Sequence, residues 1–215
     1  MTRPDIAYAI HIVYQFVHAS CTTHLSAVKR IFRYLQGTLH DGVVLRPAVT
    51  SSVIVTYSDA DWAGCKDTCR STTGYAVFFG PNLIAWHSKK QPTVSKSSTE
   101  VEYSVVAYAV AETIWIRKWL HDVGIALSAP TKVLCDNISS TYLTANPVHH
   151  ERSKYIVVDY HFVWKCVSHG DLVARYVSTQ FQLVDIFSKG LSSHQFSFLK
   201  ANMSIRFSPV SIEGV

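Results

Sequence analysis

Between residues 53 and 190, β-rich and helix-rich runs follow one another in an order that few architectures accept. Val53-Ile54-Val55-Thr56-Tyr57-Ser58 is rich in β-branched residues and ends in Asp59-Ala60-Asp61. Thr72 to Phe79 and Leu83 to His87 are two further strand-like runs, and Gly80-Pro81-Asn82 between them predicts a hairpin. Ser98 to about Val123 predicts a long helix with Val106, Val110, Ile114 and Trp115 at apolar positions and Gly124 as its stop. Lys132 to Cys135 is a short strand, and the helix after it runs to about Ala145, where Asn146-Pro147 breaks it. Ile156, Tyr160, Val163 and Val167 mark another helix, closed by His169-Gly170. A strand over Leu172 to Val177 and a helix over 181–190 complete the series. Strands and helices mixed in this order predict an α/β domain with a mixed sheet.

Ahead of that domain, Ile6, Ile10, Val13 and Val17 predict a helix over 5–19. A second helix runs from a Thr23 cap to Leu35 and ends at Gly37, with Lys29, Arg30 and Arg33 on its polar face. After about residue 193 the pattern is weak. The expected division is therefore 1–50, 51–192 and a weakly structured tail at 193–215.

The composition is that of a folding chain: 48% of the 215 residues are hydrophobic and only 16% are charged. A net charge of +5 suits a polyanionic partner without specifying one. No apolar run approaches the roughly 18 residues of a membrane helix. Met1-Thr2-Arg3-Pro4-Asp5 has no secretory character. The cysteines at 21, 65, 69, 135 and 166 are odd in number and irregular in spacing, which argues against a disulfide framework and for a reducing, intracellular setting. His149, His150, His161 and His169 with Cys166 match no standard zinc spacing. Trp62, Trp86, Trp115, Trp119 and Trp164 read as packing residues rather than platforms for bases.

The residues that invite chemistry are acids at the ends of apolar elements. Asp59 follows one strand run and Asp136 another, Glu100 lies in the first turn of the long helix, and Asp185 sits inside Leu183-Val184-Asp185-Ile186-Phe187. Buried carboxylates are costly unless something neutralises them. Each also has an ordinary structural reading: a turn for Asp59, a helix cap for Asp136, a capping box for Glu100, an exposed helix face for Asp185. Spacing alone does not bring the four together.

A family resemblance does. Tyr57-Ser58-Asp59-Ala60-Asp61-Trp62-Ala63-Gly64, Arg70-Ser71-Thr72-Thr73-Gly74-Tyr75, Ser88-Lys89-Lys90-Gln91-Pro92-Thr93-Val94-Ser95, Ser97-Ser98-Thr99-Glu100-Val101-Glu102-Tyr103, Cys135-Asp136-Asn137, Asp159-Tyr160-His161-Phe162-Val163 and Gln182-Leu183-Val184-Asp185-Ile186-Phe187-Ser188-Lys189 resemble, in order, the ribonuclease H domain of copia-type LTR retrotransposon polyproteins. Thr2 to Ala9 and Ala27 to Leu39 resemble the end of the reverse transcriptase region that precedes it. The polymerase motif, an aromatic residue followed by Asp-Asp, is missing, so no DNA synthesis is expected.

The resemblance implies a ribonuclease H-like five-stranded mixed sheet flanked by helices, preceded by two helices from the reverse transcriptase end. It implies four acids converging at one end of the sheet: Asp59 in preference to Asp61, Glu100 in preference to Glu102, Asp136 and Asp185. These would hold two Mg²⁺ ions, with Mn²⁺ as a substitute, since hard oxygen donors suit such cations. The implied substrate is the RNA strand of an RNA–DNA hybrid, recognised by its 2′-hydroxyls and cut to 3′-hydroxyl and 5′-phosphate ends. Lys89, Lys90, Lys96, Ser97 and Ser98 are candidate contacts to nucleic-acid phosphates. The other implied partner is the remainder of the polyprotein, acting in the cytoplasm, within a virus-like particle, or in the nucleus.

Several positions depart from the family pattern: Tyr155 for histidine, Cys69 for a basic residue, Phe181 for a polar one and Gly190 for proline. The loop at 178–182 lacks the histidine that many ribonucleases H use in product release. None of these removes a metal ligand. They leave a rival expectation, a truncated and catalytically inactive remnant that at most binds nucleic acid. An integrase or transposase of related fold fits less well, because those enzymes use three acids.

Overall fold

The computed structural model describes residues 3–47, 53–127, 129–145 and 157–207. A 3-10 turn at Pro4–Ile6 leads into α1 (Ala7–Tyr14), α2 (Thr22–Gln36) and a short strand, β1 (Asp41–Val43). The hairpin-forming strands follow as β2 (Ile54–Asp61), β3 (Thr72–Phe79) and β4 (Asn82–Lys90). Next come α3 (Ser98–Asp122), β5 (Thr131–Cys135), α4 (Ile138–Ala145), α5 (Val157–Ser168) and β6 (Leu172–Tyr176). A 3-10 turn at Thr179–Phe181, α6 (Asp185–Ser188), α7 (Ser193–Asn202) and β7 (Ile205–Phe207) close the described chain.

The main sheet has five strands in the order β4-β3-β2-β5-β6. β2, β3 and β4 are antiparallel neighbours, while β5 and β6 join parallel to β2. This is the mixed five-stranded α/β sheet, preceded by two helices, that the resemblance implies. Gly80 makes the β3–β4 turn with φ of +56°, a conformation that costs glycine little.

Side-chain alternation assigns the two faces of the sheet. On one face, Tyr103, Val106 and Val110 of α3 pack with Val133 and Cys135 of β5, Val163 and Cys166 of α5 and Leu172 of β6. Further along α3, Ile116 and Leu120 cover Ile54 and Val77. On the other face, Ala76, Phe78 and Leu83 meet Val184, Ile186 and Phe187 around α6, with Leu199, Met203 and Ile205 beyond. α3 is thus buried along much of its length and braces the sheet.

Residues 193–207 differ from the expected weakly structured tail: they form α7 and β7. Ser192 caps α7 by accepting from the Gln195 N–H, and Leu199 and Met203, four apart, are fully buried. The intervening polar residues hide that pattern in the sequence. β7 pairs antiparallel with β1, Val43 opposite Ile205. The first helices are also fastened to the sheet. Asn82 at the start of β4 accepts from the Arg46 N–H (2.7 Å) and donates to the Arg46 carbonyl (2.8 Å), and the Lys90 N–H donates to His11 of α1 (2.8 Å). The expected boundaries at 50 and 192 are therefore crossed by packed elements; residues 48–52 and 208–215 lie outside the described set.

Smaller departures have local causes. The helix expected over 5–19 ends at Tyr14, and the one expected over 181–190 resolves into a 3-10 turn and the single turn of α6. Trp62, Trp115, Trp119 and Trp164 are exposed rather than packed, leaving only Trp86 partly buried against the core. Asn146-Pro147, His149, His150, Tyr155 and Ile156 lie outside the described residues. No described helix is long and apolar enough to cross a membrane.

Candidate metal centre

The parallel pairing of β2 with β5 creates the site. Ser58 pairs with Cys135 at the end of that ladder, so the next residues, Asp59 on β2 and Asp136 just past β5, come to lie side by side. Asp59 is fully buried on the face covered by α6. There the Ser188 hydroxyl donates to one of its carboxylate oxygens. The Lys189 ammonium reaches the other, Oδ1, at 3.0 Å, and Oδ1 of Asp185 at 2.8 Å. Oxygens of Asp59, Asp136 and Asp185 lie within 4.8 Å of one another, and Asp136 also accepts from the Thr179 hydroxyl at 3.2 Å.

The acid that α3 contributes is Glu102, not the expected Glu100. Glu102 is buried; its Oε1 accepts from the Ala60 N–H (3.3 Å) and its Oε2 lies 3.7 Å from the Cys135 thiol, which donates to it. Glu102, Cys135 and Asp136 can bring ligand atoms within 4.8 Å of one another. Glu100 instead accepts from the Lys96 N–H (2.8 Å), while its own N–H donates to the Ser97 hydroxyl (3.2 Å). Ser97 thus caps the helix, and the bond from Lys96, one residue ahead of that cap, turns the Glu100 side chain back along the helix entrance. Two residues of α-helix rotate a side chain by about 200°, so only one of these two acids can face the sheet. The sequence signal that separates them is register: Val101 and Val105 pack on Ala60, and Glu102 shares a side of the helix with Val106.

The other three expected acids, Asp59, Asp136 and Asp185, are the ones that lie together at this end of the sheet. Asp61, the rejected neighbour of Asp59, folds over Gly64 instead of joining the cluster.

The electrostatics are those of crowded carboxylates. Burial, followed by repulsion from Asp59 and Asp136, pushes the Glu102 carboxyl up to about 9. Burial raises Asp59 to about 6, with Asp185 and Asp136 adding to the rise and Lys189 opposing it. Asp185 is raised too, first by burial. For Lys189, burial disfavours the charged form, but Asp59 and Asp185 overcome that and hold it protonated.

Several residues that support the site carry no signal of that role in local sequence pattern. Ser188 and Lys189 stood in the last resembling block without a role. Gln182 donates to the Ser58 carbonyl (2.9 Å) and fixes the loop ahead of Asp185. Of the nucleic-acid candidates, Lys89 is exposed, whereas Lys90 donates to Gln15, just past the end of α1 (2.8 Å). Ser97 is occupied as the cap of α3, and Ser98 and Lys96 are exposed beside it. A cleft of about 780 Å³ runs between β4 and α3, lined by Lys89, Gln91, Glu100, Tyr108 and Trp115 among others. Phe181 is exposed, and a side chain at Gly190 would meet nothing within 4 Å, so neither departure from the family pattern disturbs the centre.

No family model matches the chain. The retrovirus-related Pol polyprotein from transposon RE1 of Arabidopsis thaliana is 46% identical over 210 residues, covering 98% of this chain and 14% of that protein. The corresponding polyprotein from transposon TNT 1-94 of Nicotiana tabacum is 35% identical over 199 residues, 93% of this chain and 15% of its own length. The chain belongs to the retrovirus-related Pol polyproteins of transposons. It spans about one seventh of these curated relatives. Among solved structures, the N-terminal RNase H domain of a Mycobacterium tuberculosis protein aligns at 12% identity and a TM-score of 0.46, over 70% of this chain and 98% of that one. Within this Pol segment the five-stranded sheet and its helices form a mixed α/β domain.

Proposed function

We propose that this Pol segment hydrolyses the RNA strand of RNA–DNA hybrids, using divalent cations held by Asp59, Glu102, Asp136 and Asp185. The observation that carries the reading is the convergence of these four acids, from two strands and two helices, on one largely buried corner of the sheet. Their donor set fits Mg²⁺ or Mn²⁺: it is dominated by carboxylate oxygen, and a lysine ammonium already serves it as a cation. The nearby Cys135 thiol is held protonated by burial and by Glu102, so it offers no thiolate to attract a softer metal.

Bound cations would supply Lewis-acid activation of water and neutralise charge on the scissile phosphate. The chain's own residues prepare the site. Ser188 and Lys189 fix the Asp59 carboxylate, the Ala60 N–H and Cys135 thiol fix Glu102, and Thr179 holds Asp136. Such fixation lowers the reorganisation needed when charge develops in the reaction. Water attacks phosphorus, the bond to the 3′ oxygen breaks, and the products carry 3′-hydroxyl and 5′-phosphate ends. The hybrid would lie along the cleft between β4 and α3, with Lys89 and Lys96 near phosphates and exposed Trp115 and Tyr108 on its wall. Lys90 is a weaker candidate because Gln15 engages it. The remainder of the polyprotein would complete the hybrid-binding surface, and the action would take place inside the cell.

The test is cleavage of an end-labelled RNA–DNA hybrid in Mg²⁺, with duplex DNA as control. The parent chain should cut only the RNA strand, and Asp136→Asn and Glu102→Gln should not. A folded, soluble parent that cuts nothing, or an Asp136→Asn chain that cuts equally well, would overturn the reading and favour the inactive remnant.

A further inference from the structure

Lys189 closes α6 and turns its side chain back over the carboxylates. Its backbone is extended there (φ −128°, ψ 152°), and its N–H still bonds to the Asp185 carbonyl at 3.0 Å, so the stem is anchored at its base. The ion pairs described for Asp59 and Asp185 both come from its ammonium, at 3.0 and 2.8 Å. The two carboxylates are almost wholly enclosed, at 0% and 2% side-chain exposure, while Lys189 remains 31% exposed. The lysine therefore has a route to solvent that the acids do not have.

We propose that Lys189 is a resident counter-cation of the cluster, which a divalent ion must displace from Asp59 and Asp185 in order to bind there. The proposal rests on the metal reading above. A Mg²⁺-sized ion needs carboxylate oxygens at about 2.1 Å. The ammonium already engages one oxygen of each acid, and two cations sharing those oxygens repel strongly in a poorly solvated corner. Asp59 has little else to offer, because Ser188 engages its second oxygen. Metal binding at this corner is then an exchange of cations. The lysine stabilises the metal-free fold against carboxylate repulsion and, by the same contacts, weakens metal affinity. Once released, its flexible four-carbon stem leaves the ammonium on the open side of the centre.

The experiment compares Mn²⁺ binding by calorimetry in the parent chain and in Lys189→Met, under identical pH and salt. The variant should bind Mn²⁺ roughly tenfold more tightly, as expected when charge-assisted hydrogen bonds no longer compete, and its metal-free melting temperature should fall. A second measurement needs no variant. Acylation of Lys189 in the parent chain, read by mass spectrometry, should rise when Mg²⁺ is added, while that of exposed Lys118 stays constant. Equal or weaker Mn²⁺ binding by a folded Lys189→Met overturns the proposal alone, and so does unchanged labelling of Lys189 in a parent chain that binds the ion. Binding of Mn²⁺ to neither chain overturns this proposal and the metal reading together.

Discussion

Gly74 pairs directly with Asp59 across β2 and β3, and its missing side chain is what lets α6 approach the sheet. A Cβ at Gly74 would lie 2.8 Å from Cβ of Phe187 and 2.9 Å from Cγ1 of Val184. Those two residues flank the turn that carries Asp185, and Ser188 and Lys189 follow immediately. The glycine thus helps to build the candidate metal centre without offering it a ligand.

Gly74→Ala should cost stability on the scale of an overpacked core, about 1–3 kcal/mol, and should weaken divalent-ion binding because α6 is pushed from Asp59. Denaturant unfolding and calorimetry read the two effects. Gly42→Ala is the control: there a new Cβ would meet nothing within 4 Å. Equal losses in the two variants would contradict the role given to Gly74.

Glu102 and Glu100 should separate cleanly. Glu102→Gln should abolish metal-dependent cleavage while leaving a folded protein. Glu100→Gln should retain cleavage and lose at most about 1 kcal/mol from the weakened hydrogen bond to the Lys96 N–H. The converse result, with Glu100→Gln inactive and Glu102→Gln active, would restore the acid that the sequence blocks suggested.

That pair shows what was legible in the sequence. The order of strands and helices, the hairpin turn at Gly80-Pro81-Asn82 and the alignment of Asp59 with Asp136 follow from local pattern and from family blocks. Choosing between two acids two residues apart in one helix requires the rotation of α3 about its axis, which packing of Val101, Val105 and Val106 sets. Matching blocks carries no such information. α7 was hidden for a related reason: its buried residues, Leu199 and Met203, are few and are covered by partners distant in the chain. The exposed tryptophans mislead in the opposite direction, since an aromatic at helical spacing reads as core whether or not anything covers it.

The metal-free protein should lose stability as pH rises. Glu102 keeps its proton in the folded state to about pH 9, and Asp59 keeps its own to about pH 6, whereas the ordinary values are 4.5 and 3.8. Between these limits the folded chain binds more protons than the unfolded one, so stability falls across the window as pH rises. In chelator, the melting temperature should decrease from pH 5 to pH 9. Glu102→Gln should lack most of that decrease above pH 6, and Mg²⁺ should reverse it in the parent. A melting temperature that climbs over the same interval would rule out the assignment.

Asp5 should behave as the hub of the N-terminal helices. Its buried carboxylate accepts from Arg3 at 2.8 and 3.0 Å and from the Tyr34 hydroxyl at 2.7 Å, while Lys200 of α7 donates to Tyr34 and to Asp41. Burial works to raise its pKa, but the hydrogen bonds from Arg3 and Tyr34 prevail and hold it below the usual range. Asp5→Ala leaves Arg3 without its carboxylate and should cost about 3 kcal/mol. Proteolysis should then reach α1 and α2 faster. A variant as stable and as resistant as the parent would show that these helices are held by other contacts.

The pairing of Val43 with Ile205 imposes an order of events on synthesis. A ribosome delivers β1 long before β7, with the whole central sheet made in between. β1 must wait as an unpaired edge until its partner emerges, and the core around Met203 stays open to water for the same interval. The last steps of folding are therefore long-range ones, the kind that proceed slowly and leave apolar surface exposed to other chains. A nascent chain halted before residue 205 would hold its clustered acids near one another and still lack the clasp that fastens its first helices to its last.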